Sequence, residues 1–315
     1  MSLEENSTST IVADVVISKR VKFWVYLIVL VPSILCSLTF MIYVIFKRTA
    51  RNAIHNHAIA IVIFIGLIYQ VTLYPWMLEY YQYEGIWNRS TMFCTIWGFF
   101  DWGVYYVQMM LFAWATIERH ILIFHDKWVS TRMKRIFVHY LPLLVLSIYS
   151  LVFYTIVSFF PACENTFDNF DIVCVQFCFS QTNAFYIWDV LFHQTLPNLI
   201  IVIFSTALLV RILYRKYRIH QGIQWRKHRK MTIQLLSISI LYLFFAFPIT
   251  LMNLLYFCGI SFNLTVEFYE CLLFLNYLML LFLPFTCVLS LPELLTQIKR
   301  ILHLRRRNHQ VVPTV

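Results

Sequence analysis

The sequence predicts an all-α membrane protein: a seven-transmembrane helix bundle followed by a short amphipathic eighth helix. Three observations carry this. Hydrophobic residues make up 60% of the 315 and charged ones 13%, with a mean hydropathy of +0.70. A soluble domain of that make-up would leave large apolar areas in water. Seven apolar runs are long enough to cross a hydrocarbon layer about 30 Å thick. None shows the alternation of a transmembrane β-barrel, which leaves helices to satisfy backbone polar groups in lipid.

In chain order the runs are Trp24–Phe46, Ile59–Leu78, Thr95–Ala115, Phe137–Phe159, Phe185–Leu213, Ile233–Tyr256 and Cys271–Leu291. The third joins both membrane faces, since the steps from Cys94 to Arg119 rise about 37 Å at about 1.5 Å per residue. The fifth is longer than a crossing needs, so its start is expected near Val190. After the seventh, Leu294, Leu295, Ile298, Ile301 and Leu302 share one helical face, leaving Lys299, Arg300 and Arg305 for lipid headgroups. The expected division is an outer tail over residues 1–23, the bundle with its amphipathic helix over 24–302, and an inner tail over 303–315. The first twenty or so residues show no cleavable signal pattern, so the first span is expected to be its own anchor.

Basic residues set the orientation. Twenty-one of the 25 fall in the first, third and fifth connections or after the seventh run, which makes that side cytoplasmic and puts the N-terminus outside. Glu79, Glu84, Glu164, Asp168, Asp171, Glu267 and Glu270 lie in the opposite connections. The net charge of +10 therefore reflects topology, and no nucleic-acid partner is expected. Glycosylation sequons at Asn6, Asn88 and Asn263 all fall on the same outer side. Six of the eight cysteines, Cys94, Cys163, Cys174, Cys178, Cys258 and Cys271, also lie at or beyond the outer boundary, where the compartment is oxidising. Up to three bridges are expected, but six cysteines allow about 15 pairings. Cys258 with Cys271 would close a short loop, and a cysteine of the long second outer loop would tether Cys94.

Asp101 is the residue most in need of explanation. A carboxylate inside a span costs about 2.5–3.5 kcal/mol to insert, so it requires a partner, water or a ligand. Trp97, Asp101, Tyr105, Gln108 and Phe112 recur at three- and four-residue spacing, so this stripe is expected to face the bundle. Asp189 and His193 add titratable groups near the outer end of the fifth span, and Asn253 and Phe247 of the sixth are expected to line the same cavity. His139 and His193 lie near opposite faces and suit packing better than metal binding. Neither a metal nor a cofactor is expected.

Cys94, Glu118-Arg119-His120 at the opposite end of the same helix, Trp87, and Pro75, Pro197, Pro248 and Pro284 together give the chain a familiar outline. Over Trp24–Leu302 it resembles the rhodopsin-like G-protein-coupled receptors, as a divergent, orphan-type branch. The resemblance implies a plasma-membrane receptor, not an enzyme, with Glu118, Arg119 and His120 coupling to a heterotrimeric G protein. It also implies Asp101 as the counter-ion of an amine, hydrogen-bonded by Tyr277, and it matches the amphipathic segment to the family's eighth helix. The acidic loop residues fit a basic peptide as well. Departures are several. Gly66 stands where an acidic sodium ligand is usual, Ala246 where the sixth helix carries Trp, and Leu283-Pro284-Phe285-Thr286-Cys287 where an Asn-Pro-x-x-Tyr signature is usual. Arg226-Lys227-His228-Arg229-Lys230 offers no carboxylate to clasp Arg119, for which a merely snorkelling role is the plain alternative.

Other classes fare worse. The seventh run has no lysine for a retinal Schiff base, and Asp101 has no second deep aspartate for an intramembrane protease. A transporter for a small cationic solute remains the alternative, although only six glycines are available to break helices in pairs.

Overall fold

The structure is a computed structural model that describes residues 17–83, 89–168, 172–181, 183–219, 236–259 and 266–289, with 296. It is helical throughout apart from one short hairpin. Helix α1 spans Lys19–Phe46, capped by Ser18, whose Oγ accepts the Val21 amide at 3.4 Å. A single turn, Arg48–Arg51, leads into α2, Ile54–Gln82. Helix α3 runs Thr91–Phe124, with Ser90 Oγ accepting from the Phe93 amide at 3.3 Å, and α4 runs Arg132–Phe159, capped by Thr131. Helix α5 is built from Asn183–Trp188, Asp189–Thr195 and Leu196–Ile219 in succession. Its start at Asn183 corrects the expected start near Val190: the segment from Asn183 to Trp188 is helical too. Helix α7 is Val266–Leu289.

Six of these helices are long and apolar enough to cross a membrane. The sixth apolar run forms a bent pair, Leu236–Phe245 and Phe247–Tyr256, with 40° between the pieces, and counts as a seventh crossing if the pair is one span. We label the pair α6. Pro248 accounts for the bend, because it has no N–H to offer Phe244 and its ring crowds that carbonyl.

Three π-helical turns interrupt the regular helices: Phe99–Val104 in α3, Ile136–Tyr140 in α4 and Asp189–Thr195 in α5. Two have a covalent cause, since Pro142 and Pro197 cannot donate to the carbonyls of Val138 and His193. In the third, Gly103 lets α4 approach; a Cβ there would lie 3.0 Å from that of Tyr154.

Helices α3 and α7 are the most enclosed and α4 the least. Outer faces are apolar: Trp24, Ile28, Val31, Leu35, Leu38 and Ile42 on α1, and Leu144, Val145, Ile148 and Val152 on α4, are all exposed. Hydrocarbon solvates such surfaces; water does not. Inside, polar side chains tie helices together. Gln70 of α2 donates to Ser33 Oγ at 3.0 Å and to the Leu280 carbonyl at 3.3 Å, and accepts from Ser37 Oγ at 3.2 Å, joining α1, α2 and α7. Asn198 of α5 donates to Thr250 Oγ1 of α6 at 2.6 Å.

Between α4 and α5 a two-stranded antiparallel hairpin, β1 Thr166–Phe167 and β2 Val175–Gln176, lies over one end of α3. Cys174 bridges Cys94, with Cα atoms 5.2 Å apart, and Cys163 bridges Cys178 at 5.8 Å. Cys258 and Cys271 are unbridged, which corrects the expected third bridge: Cys258 is exposed just past α6 and Cys271 lies within α7. The amphipathic segment at residues 294–302, apart from residue 296, the sequons at Asn6, Asn88 and Asn263, and Trp87 lie outside the described residues.

Gly98 is the seat of the hairpin. A Cβ at this position would come within 2.5 Å of Val175 Cγ1 and 2.7 Å of Phe177 Cζ, and Phe177 is fully buried. Gly98→Ala is expected to cost about 1–3 kcal/mol through overpacking, read as a lowered melting temperature of the solubilised protein and faster reduction of the Cys94–Cys174 bond. An unchanged melting temperature with unchanged reduction rate would show that the hairpin is not seated this way.

Candidate functional site

A cavity of about 190 Å³ opens among α2, α3, α5, α6, α7 and the helical turn Cys178–Gln181 that follows the hairpin. The π turn of α3 delivers Asp101 to it, only 9% exposed. Tyr69 of α2 and Tyr277 of α7 both donate their hydroxyls to Asp101 Oδ1, at 2.8 and 3.0 Å. Oδ2 receives no hydrogen bond among the described residues, and the side chain lines the cavity. Beside it, Tyr105 donates to Asn276 Oδ1 at 3.0 Å.

The π turn of α5 delivers a second carboxylate, Asp189, 3% exposed. Three donors converge on it: the Tyr154 hydroxyl and His193 Nδ1 at Oδ1, the latter 2.9 Å away, and Gln194 Nε2 at Oδ2 at 3.2 Å. Gln194 is held in turn by Asn253 Nδ2 of α6 at 2.8 Å. Trp188 Nε1 can only donate, and it donates to the Tyr149 hydroxyl at 3.0 Å. That hydroxyl lies 3.0 Å from His193 Nε2, and His193 Nδ1 is within reach of both Asp189 Oδ1 and the Tyr154 hydroxyl, the latter 3.1 Å away. The chain Trp188, Tyr149, His193, Asp189 thus links α4 to α5 behind the cavity.

The remaining wall is aromatic and aliphatic, including Trp102, Tyr106, Phe179, Tyr186 and Ile249. Among the described residues none of those lining the cavity is Lys, Arg or His. Of the residues expected from sequence, Asp101, Tyr105, Tyr277, Asp189 and Asn253 meet there. Three expected ligand contacts are corrected. Trp97 is buried against Trp76 and Phe93 on another side of α3, His193 stands behind Asp189, and Phe247 lies beside the α6 bend without reaching the cavity. Tyr69, Gln194 and Asn276 were not anticipated. Gln194 carried a signal, being next to His193 on a helix already marked by Asp189.

At the other end of α3, Glu118 and Arg119 are each 1% exposed. Glu118 Oε1 lies 2.5 Å from Nδ1 of fully buried His139, brought in by the π turn of α4. Glu118 therefore has a cross-helix partner besides its neighbour Arg119. Arg119 does not snorkel; its side chain is enclosed. His120 Nε2 accepts from Arg211 Nη1 of α5 at 2.9 Å, and that guanidinium stacks over Phe124 with 4.5 Å to the ring centroid. Gly66 leaves room for Gln108, whose Nε2 would lie 3.0 Å from a Cβ there and donates to the Val62 carbonyl at 3.2 Å. The basic stretch Arg226–Lys230 lies outside the described residues.

Breaking a buried pair from one side strands the other group. His139→Ala is expected to destabilise the protein by about 3–5 kcal/mol, and the double variant Glu118→Gln/His139→Ala by distinctly less than the sum of the two single changes. Additive losses in thermal unfolding would remove this pair from the account. A scan of the chain against family models and a search of curated proteins both find no match.

Proposed function

We propose that the chain is a divergent rhodopsin-like G-protein-coupled receptor, a bundle of seven spans and an eighth amphipathic helix in the plasma membrane, with its N-terminus outside. It binds a cationic ligand in the cavity beside Asp101 and activates a heterotrimeric G protein through Glu118, Arg119 and His120. One observation carries the reading. A single enclosed helix, α3, is tethered at one end by Cys94–Cys174, gives Asp101 to the cavity, and ends on buried Glu118 and Arg119. A ligand that pulls on Asp101 therefore acts on the same rigid element that holds Arg119 in place.

The size of the cavity favours a small amine over a basic peptide. At about 190 Å³ it falls below the roughly 300–1,000 Å³ of pockets for drug-sized ligands. Glu118 held by His139 leaves Arg119 as the group to be released, and its planar guanidinium suits the C-terminal carbonyls of a docking helix. The second reading is a transporter for a small cationic solute, which the broken α6 favours, because discontinuous helices often line transport sites.

The two readings part in reconstituted vesicles. With purified heterotrimeric G protein, the protein is expected to accelerate guanine-nucleotide exchange, and Arg119→Ala to cut that acceleration about tenfold or more, equivalent to about 1.4 kcal/mol of lost coupling. Accumulation of a labelled amine inside the vesicles, with nucleotide exchange unaffected, would replace the receptor by the transporter.

A further inference from the structure

The charge balance of the cavity is unfinished. Asp101 and Asp189 both line it, both are more than nine-tenths buried, and among the described residues no cation lines it with them. The groups around the two carboxylates are hydrogen-bond donors: Tyr69 and Tyr277 at Asp101, and Tyr154, Gln194 and His193 at Asp189. Hydroxyl and amide donors satisfy hydrogen-bond geometry without cancelling charge. His193 stands behind Asp189, outside the lining of the cavity. Among the described residues Asp101 Oδ2 also stands without a donor. Two like charges in one small enclosure call for opposite charge from outside the chain.

We propose that the ligand is a small diamine, with one ammonium on Asp101 and a second on Asp189. Its spacer lies between them against Tyr106, Val190 and Ile249, where aromatic faces attract the cationic ends and aliphatic side chains cover the methylenes. The inference rests on reading the cavity as a ligand site and adds the ligand's second charge. A monoamine fills one carboxylate and leaves the other buried and unpaired, which is the difference the site is built to detect. The volume limits the spacer to a short chain or a single ring, since a cavity of about 150 Å³ holds benzene.

The test uses the full chain in lipid nanodiscs, read by ligand-induced thermal stabilisation, a signal that needs no G protein. Unbranched diamines from diaminopropane to diaminooctane are compared with n-alkyl monoamines of equal length and with the mono-acetylated diamines. One diamine length is expected to act at about tenfold lower concentration than its monoamine and its mono-acetyl form, the value of one charge-assisted contact. Asp189→Asn should erase this advantage while monoamines still bind, and Asp101→Asn should weaken both series. Equal potency of diamine and monoamine on the unaltered protein, or a diamine advantage that survives in Asp189→Asn, overturns the proposal. If Asp189→Asn does not fold, the mono-acetylated series decides alone. Diamine selectivity without nucleotide exchange would reject the receptor reading and keep this one. Nucleotide exchange without stabilisation by any amine would do the reverse.

Discussion

A polar side chain buried among apolar helices has no water to turn to, so it must find its partner on another helix. That requirement organises this molecule around α3. Asp101 is answered by α2 and α7, Tyr105 by α7, Gln108 by α2, and Glu118 by α4. Each answer fixes a neighbouring helix in rotation as well as in distance, which unspecific apolar packing does poorly. The same demand explains why Tyr69 and Tyr277 converge on one oxygen: a carboxylate held from two sides has only its second oxygen left for anything new.

The helices themselves were legible in the sequence, because an apolar run of some twenty residues has few other fates. The inward stripe of α3 was legible too, since Trp97, Asp101, Tyr105, Gln108 and Phe112 keep helical spacing, and all five are buried. Partnerships between distant elements were not. Nothing local distinguishes Tyr69 from the other tyrosines, and His139 meets Glu118 only because α4 carries a π turn. The pairing of Cys94 with Cys174 was one among many possibilities. Pro248 stood out in the sequence, but nothing there showed that the chain divides beside it into two pieces bent by 40°.

Trp97 shows the limit of spacing arguments. It belongs to the correct stripe, yet the extra residue in the π turn between it and Tyr105 carries it to Trp76 and Phe93 and away from the cavity. His193 fails for a different reason. It lies one layer behind the surface it was expected to form and works by holding Asp189. In both cases the residue type and burial were read correctly, and the direction was not.

The π turns also govern how the two halves of α3 can be recombined with other helices. One inserted residue turns an α-helix by about 100°, so the segment from Tyr105 onward is rotated relative to an uninterrupted helix begun at Thr91. A chimaera spliced within Phe99–Val104 to a straight helix would turn Tyr105, Gln108 and Phe112 away from their present neighbours while leaving Cys94 tethered. Grafts that keep the whole turn on one side of the junction preserve the register of both ends.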